Sequence, residues 1–575
     1  MEISTFKDLV NYMGIFGRKT ASQMKQENSE YKKYTYNEYQ RNARYIAVYL
    51  DKVKHLKKED MAAIYAENRP EWLMAYFGIV YNGIWAVPLD AKLSDLEVKN
   101  LMLDCGAKYI FLSKALYDNI SSEPEIMKNV HEFIIFDNIS HTSLPDKRIK
   151  TFDQILEEGR KYELKERDVL ESDVASLIYT SGTTGTPKGV MLTHKNFSHQ
   201  IRAISQAIPL STEDTILSLL PLHHTFQFSV ELACMYNGTS ITYAESFKPN
   251  KMLANIRDTE VNIMIAVPLI YEKLYEGIMR QVRNLSFPAK QVVLGLYYVT
   301  SSLNKLTNNT AGKNIFGFLR KKAGLNGIKF MISGAAPLNY KVAKGFDILG
   351  LTLLNGYGLT ESSPVISVNR LDRKIKNESV GVILDEVEVK IDNPDTDNNG
   401  EICAKGPNIM KGYYKNPKAT KEVIDSGGWL HTGDIGQIDS DGYLHITGRK
   451  KNIIVTPAGK NVYPEEIEDV LNSSPFILES IIVGVPEGDH SKGEYIYCYV
   501  VPDYEHFDTM GKLNGIKITD EYVEKTVDQA VKEISASLPD YKKIKGWRIR
   551  REEFAKTSTR KIKRYLFSGK DFLSC

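Results

Sequence analysis

The stretch LIYTSGTTGTPKGVMLTH, residues 177–194, decides how the rest of the chain is interpreted. Apolar runs at 177–179 and 190–192 flank a loop of small polar residues, which predicts a strand, a loop and a second strand. Glycines permit backbone angles that other residues resist, and clustered N–H groups, hydroxyls and a lysine suit an anion. We therefore predict a polyphosphate-binding loop formed by Thr180, Ser181, Gly182, Thr183, Thr184, Gly185 and Lys188.

This loop differs from a Walker A loop. The Walker A pattern is G-x-x-x-x-G-K-[ST] at the start of a helix. Counted from Gly182, the second glycine is replaced by Pro187, and Lys188 is followed by Gly189 instead of a hydroxyl residue. A plain polar turn between two strands is the alternative interpretation.

Length and composition exclude several classes of protein. The 575 residues exceed the roughly 250–300 at which a single core stops growing, so more than one domain is expected. The content of 42% hydrophobic and 25% charged residues is that of an ordinary globular protein. A net charge of +2 gives no electrostatic case for nucleic acid. The five cysteines form no C-x-x-C pair, which argues against a disulfide framework or a zinc site and suits a reducing compartment.

No segment has the pattern of a signal peptide or a membrane span. Residues 1–17 lack a basic start, a long apolar core and a small-residue cleavage site. The longest apolar stretch, residues 72–89, contains Asn82 and Gly83 and falls short of the roughly 20 apolar residues of a span. We interpret it as a buried helix followed by a strand, and we expect a cytoplasmic protein.

Strands and helices alternate in the first part of the chain. Thr35 with Glu38, and Ser94 with Glu97, have the spacing of capping boxes at helix starts. Apolar runs at 61–65, 86–89 and 109–112 predict strands. This alternation predicts an α/β fold with a parallel sheet covered on both faces.

Further blocks follow the loop in a fixed order: PLHHTF at 221–226, SGAAPL at 333–338, NGYGLTE at 355–361, WLHTGD at 429–434, GRKKNII at 448–454 and AKTSTRKIKR at 555–564. Together with the loop they resemble the adenylate-forming enzymes, which include acyl-CoA synthetases, firefly-luciferase-like enzymes and the adenylation domains of peptide synthetases. The resemblance covers nearly the whole chain. The segment NRPEW at 68–72 and the helical insert at 285–327 are similar to the long-chain fatty acyl-CoA synthetase branch.

Several residue types in these blocks suit ATP and Mg²⁺. Tyr357 offers a flat face to adenine, and Thr360 offers a hydroxyl. Glu361 is a hard oxygen ligand, and Mg²⁺ on ATP takes only one or two carboxylates. Asp434 can accept hydrogen bonds from both ribose hydroxyls. The remaining positions assigned to the nucleotide are Ala336, Gly356, Gly358 and Gly459, with Thr180 as a second Mg²⁺ candidate.

The resemblance assigns further roles. It implies that Arg449 contacts ribose or the α-phosphate and that Lys451 is the hinge of a mobile domain. It places His224, Val267 and Gly334 in the acyl pocket. The adjacent His223 and His224 could also be a metal pair, but no third ligand lies at suitable spacing. A structural core histidine is the other alternative.

Lys561 matches the catalytic lysine of the family, which bridges the carboxylate and the α-phosphate. The family has glycine just before this lysine, whereas this chain has Arg560, which changes the expected loop geometry. Lys556 and Lys563 are the alternative lysines, and a basic C-terminal tail is the non-catalytic alternative.

The resemblance implies a large N-terminal adenylation domain, residues 1–449, of doubly wound sheets plus a small β region, followed by a small mobile α+β domain, residues 450–575. It implies an ATP-dependent fatty acid–CoA ligase that uses Mg²⁺ and CoA. The alternatives are a ligase that passes the acyl group to a carrier protein, and a degenerate AMP-binding protein without activity. Long acyl products imply transient contact with a membrane surface, and no particular oligomeric state is predicted.

Overall fold

A computed structural model describes residues 3–138, 146–180, 187–307, 310–486, 493–556, 562–567, 569 and 572. The chain forms two compact units. The first comprises Met1–Leu338, Val342–Glu388 and Ala404–Leu430, and the second comprises Asn339–Lys341, Val389–Cys403 and His431–Cys575. The domain boundary predicted at 449/450 is the position of a hinge. Compact units do not reveal a hinge, so this boundary stays a prediction.

The first unit contains a nine-stranded sheet whose central strands are parallel. In spatial order the strands are β16 (Val382–Ile383), β15 (Val365–Val368), β14 (Leu353–Gly358), β13 (Phe330–Ser333), β12 (Ile263–Ala266), β10 (Thr215–Ser218), β11 (Ser240–Tyr243), β1 (Thr20–Lys25) and β2 (Tyr31–Thr35). The run from β14 to β1 is parallel, and antiparallel strands lie at both ends. Parallel strands buried on both faces explain the continuous apolar runs in the sequence.

An eight-stranded sheet in the same unit carries the loop region. Its spatial order is β19 (Gly412–Tyr413), β9 (Lys188–Thr193), β8 (Val174–Thr180), β4 (Trp85–Leu89), β3 (Met61–Tyr65), β5 (Tyr109–Leu112), β6 (Glu132–Ile135) and β7 (Ile149–Thr151). The three predicted strands at 61–65, 86–89 and 109–112 are confirmed as β3, β4 and β5.

Helices connect these strands. They are α1 (Phe6–Met13), α2 (Tyr36–Val48), α3 (Pro70–Val80), α4 (Asp95–Cys105), α5 (Lys114–Ile120), α6 (Pro124–Asn129), α7 (Phe152–Arg160), α8 (His194–Ala207), α9 (Thr225–Asn237), α10 (Pro249–Asp258), α11 (Pro268–Arg283), α12 (Phe287–Thr307), α13 (Thr310–Ile315), α14 (Gly317–Lys322), α15 (Tyr340–Ile348) and α16 (Pro417–Val423). The capping boxes of α2 and α4 are both formed as predicted. Every residue of α3 is buried, so the apolar stretch at 72–89 is core helix and strand.

Within its described residues, the second unit contains three small sheets. The first has the order β17 (Glu388–Asp392), β18 (Gly400–Lys405), β20 (Leu430–Ile438) and β21 (Leu444–Arg449); the second pairs β22 (Ile454–Val455) with β23 (Asn461–Val462); the third has the order β24 (Ile477–Pro486), β25 (Glu494–Pro502) and β26 (Gly546–Ile549). Its helices are α17 (Pro464–Leu471), α18 (Tyr504–Asn514) and α19 (Asp520–Ser537). The predicted small β region and α+β unit are both present; the sequence placed that β region within residues 1–449, whereas the compact units group most of its strands with the C-terminal segment.

Among the described residues, no helix combines the length and the apolar character that crossing a bilayer requires.

Candidate active site

The parallel order of the nine-stranded sheet brings two predicted acyl-pocket residues, Val267 and Gly334, to the same edge as the predicted nucleotide residue Gly356. β12, β13 and β14 are adjacent, with Ala266 opposite Ser333 and Ser333 opposite Asn355. Val267, Gly334 and Gly356 directly follow these three registered residues. In open α/β sheets, ligands bind at the carboxyl ends of the strands. Residues far apart in sequence therefore meet where a ligand is expected.

Gly334 lies against an aromatic ring from the PLHHTF block. A Cβ atom at Gly334 would lie 2.9 Å from Cζ of Phe226, which is closer than real Cβ atoms come to a neighbour. Glycine therefore lets the ring of Phe226 pack directly on the backbone after β13. Ala336 follows in the same loop and is half-buried.

The two adjacent histidines lie at the start of α9. His224 is the N-cap residue, and its ring centroid is 4.1 Å from that of His223. Nε2 of His223 is 3.5 Å from Oδ2 of Asp90. Burial, and then the neighbouring His224, lower the pKa of His223 well below its usual range, so its imidazole is neutral near pH 7. A neutral ring is compatible with the acyl pocket predicted at His224.

The predicted strand–loop–strand is an antiparallel hairpin. Thr180 at the end of β8 pairs with Lys188 at the start of β9. The hairpin therefore fixes both ends of the loop, and the two flanking strands are confirmed. The loop residues Ser181, Gly182, Thr183, Thr184 and Gly185 lie outside the described residues.

A chain of contacts joins the stem of this hairpin to the NGYGLTE block. Nζ of Lys188 lies 4.9 Å from the centroid of the Tyr413 ring. The Tyr413 hydroxyl donates a 2.8 Å hydrogen bond to Oε1 of Glu361. Burial, and then Glu361, raise the pKa of Tyr413, so the hydroxyl keeps the proton that it donates. Tyr413 reaches this position because β19 pairs with β9, placing Tyr413 opposite Val190.

The turn that carries Thr360 and Glu361 is set by tight backbone packing. A Cβ atom at Gly358 would lie 1.8 Å from the carbonyl oxygen of Pro364, so only glycine fits there. Leu359 N–H donates to that same oxygen at 3.1 Å. The Met410 N–H donates to the Glu361 carbonyl at 2.9 Å and holds the turn from the other side. The Glu361 side chain is thus presented by a fixed backbone, which suits a ligand to Mg²⁺.

In the second unit, Asp434 and Arg449 form a direct ion pair. They are cross-strand partners on β20 and β21, and Nε of Arg449 is 2.8 Å from Oδ1 of Asp434. Asp434 is buried, whereas the Arg449 side chain is 40% exposed. The structure therefore brings together two residues that the sequence assigned separately to the nucleotide.

A second ionic cluster lies on the same sheet. Asp392, Glu401, Cys403 and His431 offer metal-binding atoms that all lie within 4.8 Å of one another. Nζ of Lys450 is 2.8 Å, and Nδ1 of His431 is 3.1 Å, from Oε2 of Glu401. Burial acts to raise the pKa of Glu401, but Lys450 and His431 outweigh it and lower the pKa. Glu401 thus already has a counter-charge, and these contacts make the cluster an ion-pair network.

The predicted hinge and glycine loop follow β21. Partial burial and, after it, the Arg449 guanidinium lower the pKa of Lys451. Gly459 lies at the tip of the β22–β23 hairpin with φ of +71° and open space where a Cβ would be. The left-handed backbone explains the glycine, and the open space gives a ligand room to approach.

Residues 557–561, which include Lys561, lie outside the described residues, whereas Lys556 and Ile562 are described. Lys556 and Ile562 form an antiparallel bridge, and Lys563 N–H donates to Ala555 O at 2.8 Å. The Lys556 ammonium is 2.8 Å from both Glu479 and Glu553. Burial acts to lower the pKa of Lys556, but these carboxylates outweigh it and the pKa is raised.

A sequence model described as "AMP-binding enzyme" matches residues 16–414, and one described as "AMP-binding enzyme C-terminal domain" matches residues 466–561. The chain belongs to the AMP-binding enzyme family. An Escherichia coli O6:H1 protein named "Long-chain-fatty-acid--CoA ligase" is 30% identical, over 81% of this chain and 81% of the relative. An Arabidopsis thaliana protein named "Long-chain-fatty-acid--[acyl-carrier-protein] ligase AEE15, chloroplastic" is 29% identical, over 75% of this chain and 68% of the relative.

A solved structure described as "Crystal structure of the anthranilate CoA ligase AuaEII in complex with anthranoyl-AMP" matches with a TM-score of 0.77 and 19% identity. The match covers 100% of this chain and 99% of that one, and at this identity it shows a shared fold. The predicted family, α/β fold and enzyme class are confirmed: this AMP-binding enzyme is an AMP-forming ligase that makes carbon–sulfur bonds. Tyr413, in the segment KGYY at 411–414, was not among the candidate residues predicted from the sequence, because its contact with Glu361 depends on strand pairing between distant segments.

Proposed function

We propose that this AMP-binding enzyme is a long-chain fatty acid–CoA ligase. It would convert a fatty acid and ATP to an acyl-adenylate and pyrophosphate, and then convert the acyl-adenylate and CoA to acyl-CoA and AMP. The names of the relatives support a fatty acid, and the helical insert at 285–327 favours a long chain. The chain of contacts Lys188–Tyr413–Glu361 is the observation that carries the proposal, because it links the phosphate loop to the carboxylate proposed for Mg²⁺.

In the first half-reaction, a carboxylate oxygen attacks the α-phosphorus of ATP, and the bond from that phosphorus to the bridging oxygen of pyrophosphate breaks. All reactants are anions, so preorganised cations and donors are needed. Lys188 and the loop from Thr180 to Gly185 would hold the leaving phosphates. Lys561 would lie between the carboxylate and the α-phosphate. Glu361 would hold Mg²⁺, with Thr180 and Thr360 as the candidate hydroxyl ligands, and the ion would supply positive charge to the leaving phosphates.

The remaining site residues would orient the acyl-adenylate. Tyr357 would stack on adenine, with Ala336, Gly356 and Gly358 giving the base close access to the backbone. Asp434 and Arg449 would contact the ribose. His224, Val267 and Gly334 would line the start of the acyl tunnel at the strand ends. The neutral imidazole of His223 would keep the mouth of that tunnel uncharged.

The second half-reaction requires space for the thiol. The sulfur attacks the acyl carbon, the bond to the AMP oxygen breaks, and the thiol proton passes to solvent. We propose that residues 450–575 rotate about Lys451, which withdraws Lys561 and presents the Gly459 loop to the thiol. Lys451→Pro should then keep adenylation and lose thioester formation, and equal loss of both would contradict the hinge.

The acceptor is CoA in this proposal, and carrier-protein phosphopantetheine is the alternative, because a relative named as an acyl-carrier-protein ligase matches nearly as well. ATP–pyrophosphate exchange should be measured with acids from acetate to C20 and with aromatic acids, then repeated as thioester formation with CoA or holo-carrier protein. Highest exchange with long acids and thioester only with CoA is expected. Exchange without either thioester, or no exchange, would contradict the proposal.

The lysine assignment has a matched control five residues earlier in the sequence, at Lys556. Lys561→Ala should reduce exchange by several powers of ten. Removing one preorganised group that stabilises a transition state typically costs about 10²–10³ in rate, and Lys561 is proposed to contact both reacting groups. Lys556→Ala should leave exchange nearly unchanged, because its ammonium is held by Glu479 and Glu553. The opposite ranking of the two variants would move the catalytic role to Lys556.

A further inference from the structure

The helix α12 has one face anchored to the protein. Val293, Thr300 and Asn304 on that face are buried. The Tyr297 hydroxyl lies 2.9 Å from the Tyr275 hydroxyl of α11. These contacts give α12 a fixed orientation, so its other face is also defined.

The other face of α12 is exposed and apolar. Val292, Leu296, Val299 and Leu303 are 61%, 36%, 55% and 38% exposed, and their spacing of four, three and four residues places them in one line along the helix. Phe287 and Tyr298 are also exposed, at 76% and 73%. The other exposed residues between 287 and 303 are Pro288, Gln291, Gly295 and Ser302, none of which is charged. We call Val292, Leu296, Val299 and Leu303 the α12 stripe. Contiguous exposed apolar surface of this kind marks an interaction site.

The segment around the α12 stripe is strongly basic. Residues 277–346 contain no aspartate or glutamate. Their basic residues are Arg280, Arg283, Lys290, Lys305, Lys313, Arg320, Lys321, Lys322, Lys329, Lys341 and Lys344. Lys313 on α13 and Lys321 and Lys322 on α14 are exposed. Because the whole chain has a net charge of only +2, this positive charge is local to the segment.

We propose that the α12 stripe and the basic residues of α13 and α14 dock the enzyme on an anionic lipid bilayer. Helices that lie in the bilayer interface bury an apolar face at the acyl boundary, and basic residues bind anionic headgroups. A second copy of this chain fits less well, because dimerisation through this surface would bring two acid-free basic segments together. The inference goes beyond the proposed reaction, although a ligase for long acyl chains would find its substrate at such a surface.

Vesicle co-sedimentation of the full-length protein without ATP tests the proposal. Binding is expected to vesicles of 70% phosphatidylcholine and 30% phosphatidylglycerol, and it should weaken in high salt because screening acts over about 10 Å at 0.1 M. The triple variant Val292→Ser, Leu296→Ser, Val299→Ser should bind at least about tenfold less, since three apolar side chains lose their burial. Lys321→Gln with Lys322→Gln should bind less by about fivefold for each lysine.

Matched controls remove the same groups elsewhere in the first unit. Leu96→Ser, Leu103→Ser and Leu170→Ser remove side chains of residues that are 53%, 45% and 52% exposed, and should leave vesicle binding unchanged. Lys33→Gln with Lys57→Gln is the charge control. Exchange with a short, soluble acid should be the same in all these variants, so a failure of the proposed reaction is distinguished from a failure of docking.

Three results would overturn the proposal. The first is a wild type that does not bind the vesicles containing phosphatidylglycerol, or that binds vesicles of pure phosphatidylcholine equally well. The second is a triple serine variant that binds the vesicles as well as the wild type does. Alternatively, light scattering would show a wild-type dimer and a monomeric triple variant with unchanged vesicle binding, which would assign the α12 stripe to a second copy. If circular dichroism shows that the triple serine variant does not fold, vesicle binding by the Lys321→Gln, Lys322→Gln variant tests the proposal instead.

Discussion

Two regions of the enzyme hold a carboxylate near a cation, and they do so differently. In the first unit the Tyr413 ring lies between the two charges: Lys188 is over its face at 4.9 Å, and Glu361 accepts from its hydroxyl at 2.8 Å. In the second unit Arg449 bonds Asp434 directly at 2.8 Å. Charges that are kept apart retain their attraction for a ligand, whereas a direct pair has partly neutralised itself. The first region therefore suits phosphate and Mg²⁺, and the second suits the uncharged ribose.

Within this comparison, the largest expected effect comes from removing the carboxylate of the first region. Glu361→Gln keeps the side-chain shape and an oxygen for Tyr413, but it loses the negative charge proposed to hold Mg²⁺. We expect ATP–pyrophosphate exchange to fall by about 10³, near the upper range for one preorganised electrostatic group. Glu163→Gln, an exposed carboxylate in the same unit, is the control. Exchange within threefold of wild type would remove Glu361 from the site.

A third carboxylate, Glu231 on α9, extends the comparison to a carboxylate that has no cation among its described contacts. It is fully buried and accepts from Gln227 at 2.8 Å and Tyr243 at 3.1 Å. Burial raises the pKa of Glu231 to about 7 from the ordinary 4.5. The folded protein therefore keeps this proton above pH 4.5, whereas the unfolded chain loses it. Stability should fall as pH rises from about 4.5 to 7 and then level off.

Glu231→Gln should cancel this pH dependence. Since one pKa unit corresponds to about 1.4 kcal/mol, the variant should be more stable than wild type above pH 7 by up to the order of 3 kcal/mol, and equal to it near pH 4. Urea unfolding at pH 4.5, 6 and 8, with Glu163→Gln as control, measures this difference. A difference that does not change with pH would show that Glu231 ionises normally in the folded protein.

Replacing Tyr413 tests the separation itself. Tyr413→Phe keeps the ring under Lys188 and removes the donor to Glu361. A hydrogen bond to a charged group contributes about 1.5–3 kcal/mol, so exchange should fall by about 10- to 150-fold. Tyr414→Phe changes the neighbouring ring, which lies under Lys415 at 4.8 Å, and should have little effect. If both variants behave alike, the Tyr413 hydroxyl does not position Glu361.

Local sequence signals predicted much of this fold. The capping boxes at Thr35 and Ser94 and the hairpin stem at Thr180 and Lys188 depend on residues a few positions apart, and the structure contains all of them. The meeting of Val267, Gly334 and Gly356 at one edge of the sheet could also be anticipated, because neighbouring parallel strands end at the same edge.

The contacts that define the site were not accessible in this way. Tyr413 and Glu361 are 52 residues apart and meet only because β19 adds to β9 at a particular register. Asp434 and Arg449 were both named from the sequence, but their direct pairing depends on a register shift between Ile435 and Gly436 in β20. The compact second unit includes Val389–Cys403, which precede the last segment of the first unit in the chain. Register and unit membership arise from packing between distant segments, and short motifs do not encode them.

The smallest expected effect comes from the second region. Arg449→Lys retains one positive charge opposite Asp434 but loses the planar group that can donate to the carboxylate and to a ligand together. Because this pair is proposed to orient ribose and not to stabilise the displacement, KM for ATP should rise about three- to tenfold while kcat changes little, as for loss of uniform binding. Arg551→Lys is the control, since Arg551 pairs with Asp520 at 2.6 Å on the surface of the same unit. A fall in kcat matching that of Glu361→Gln would place Arg449 on the α-phosphate instead, and both regions would then stabilise the transition state.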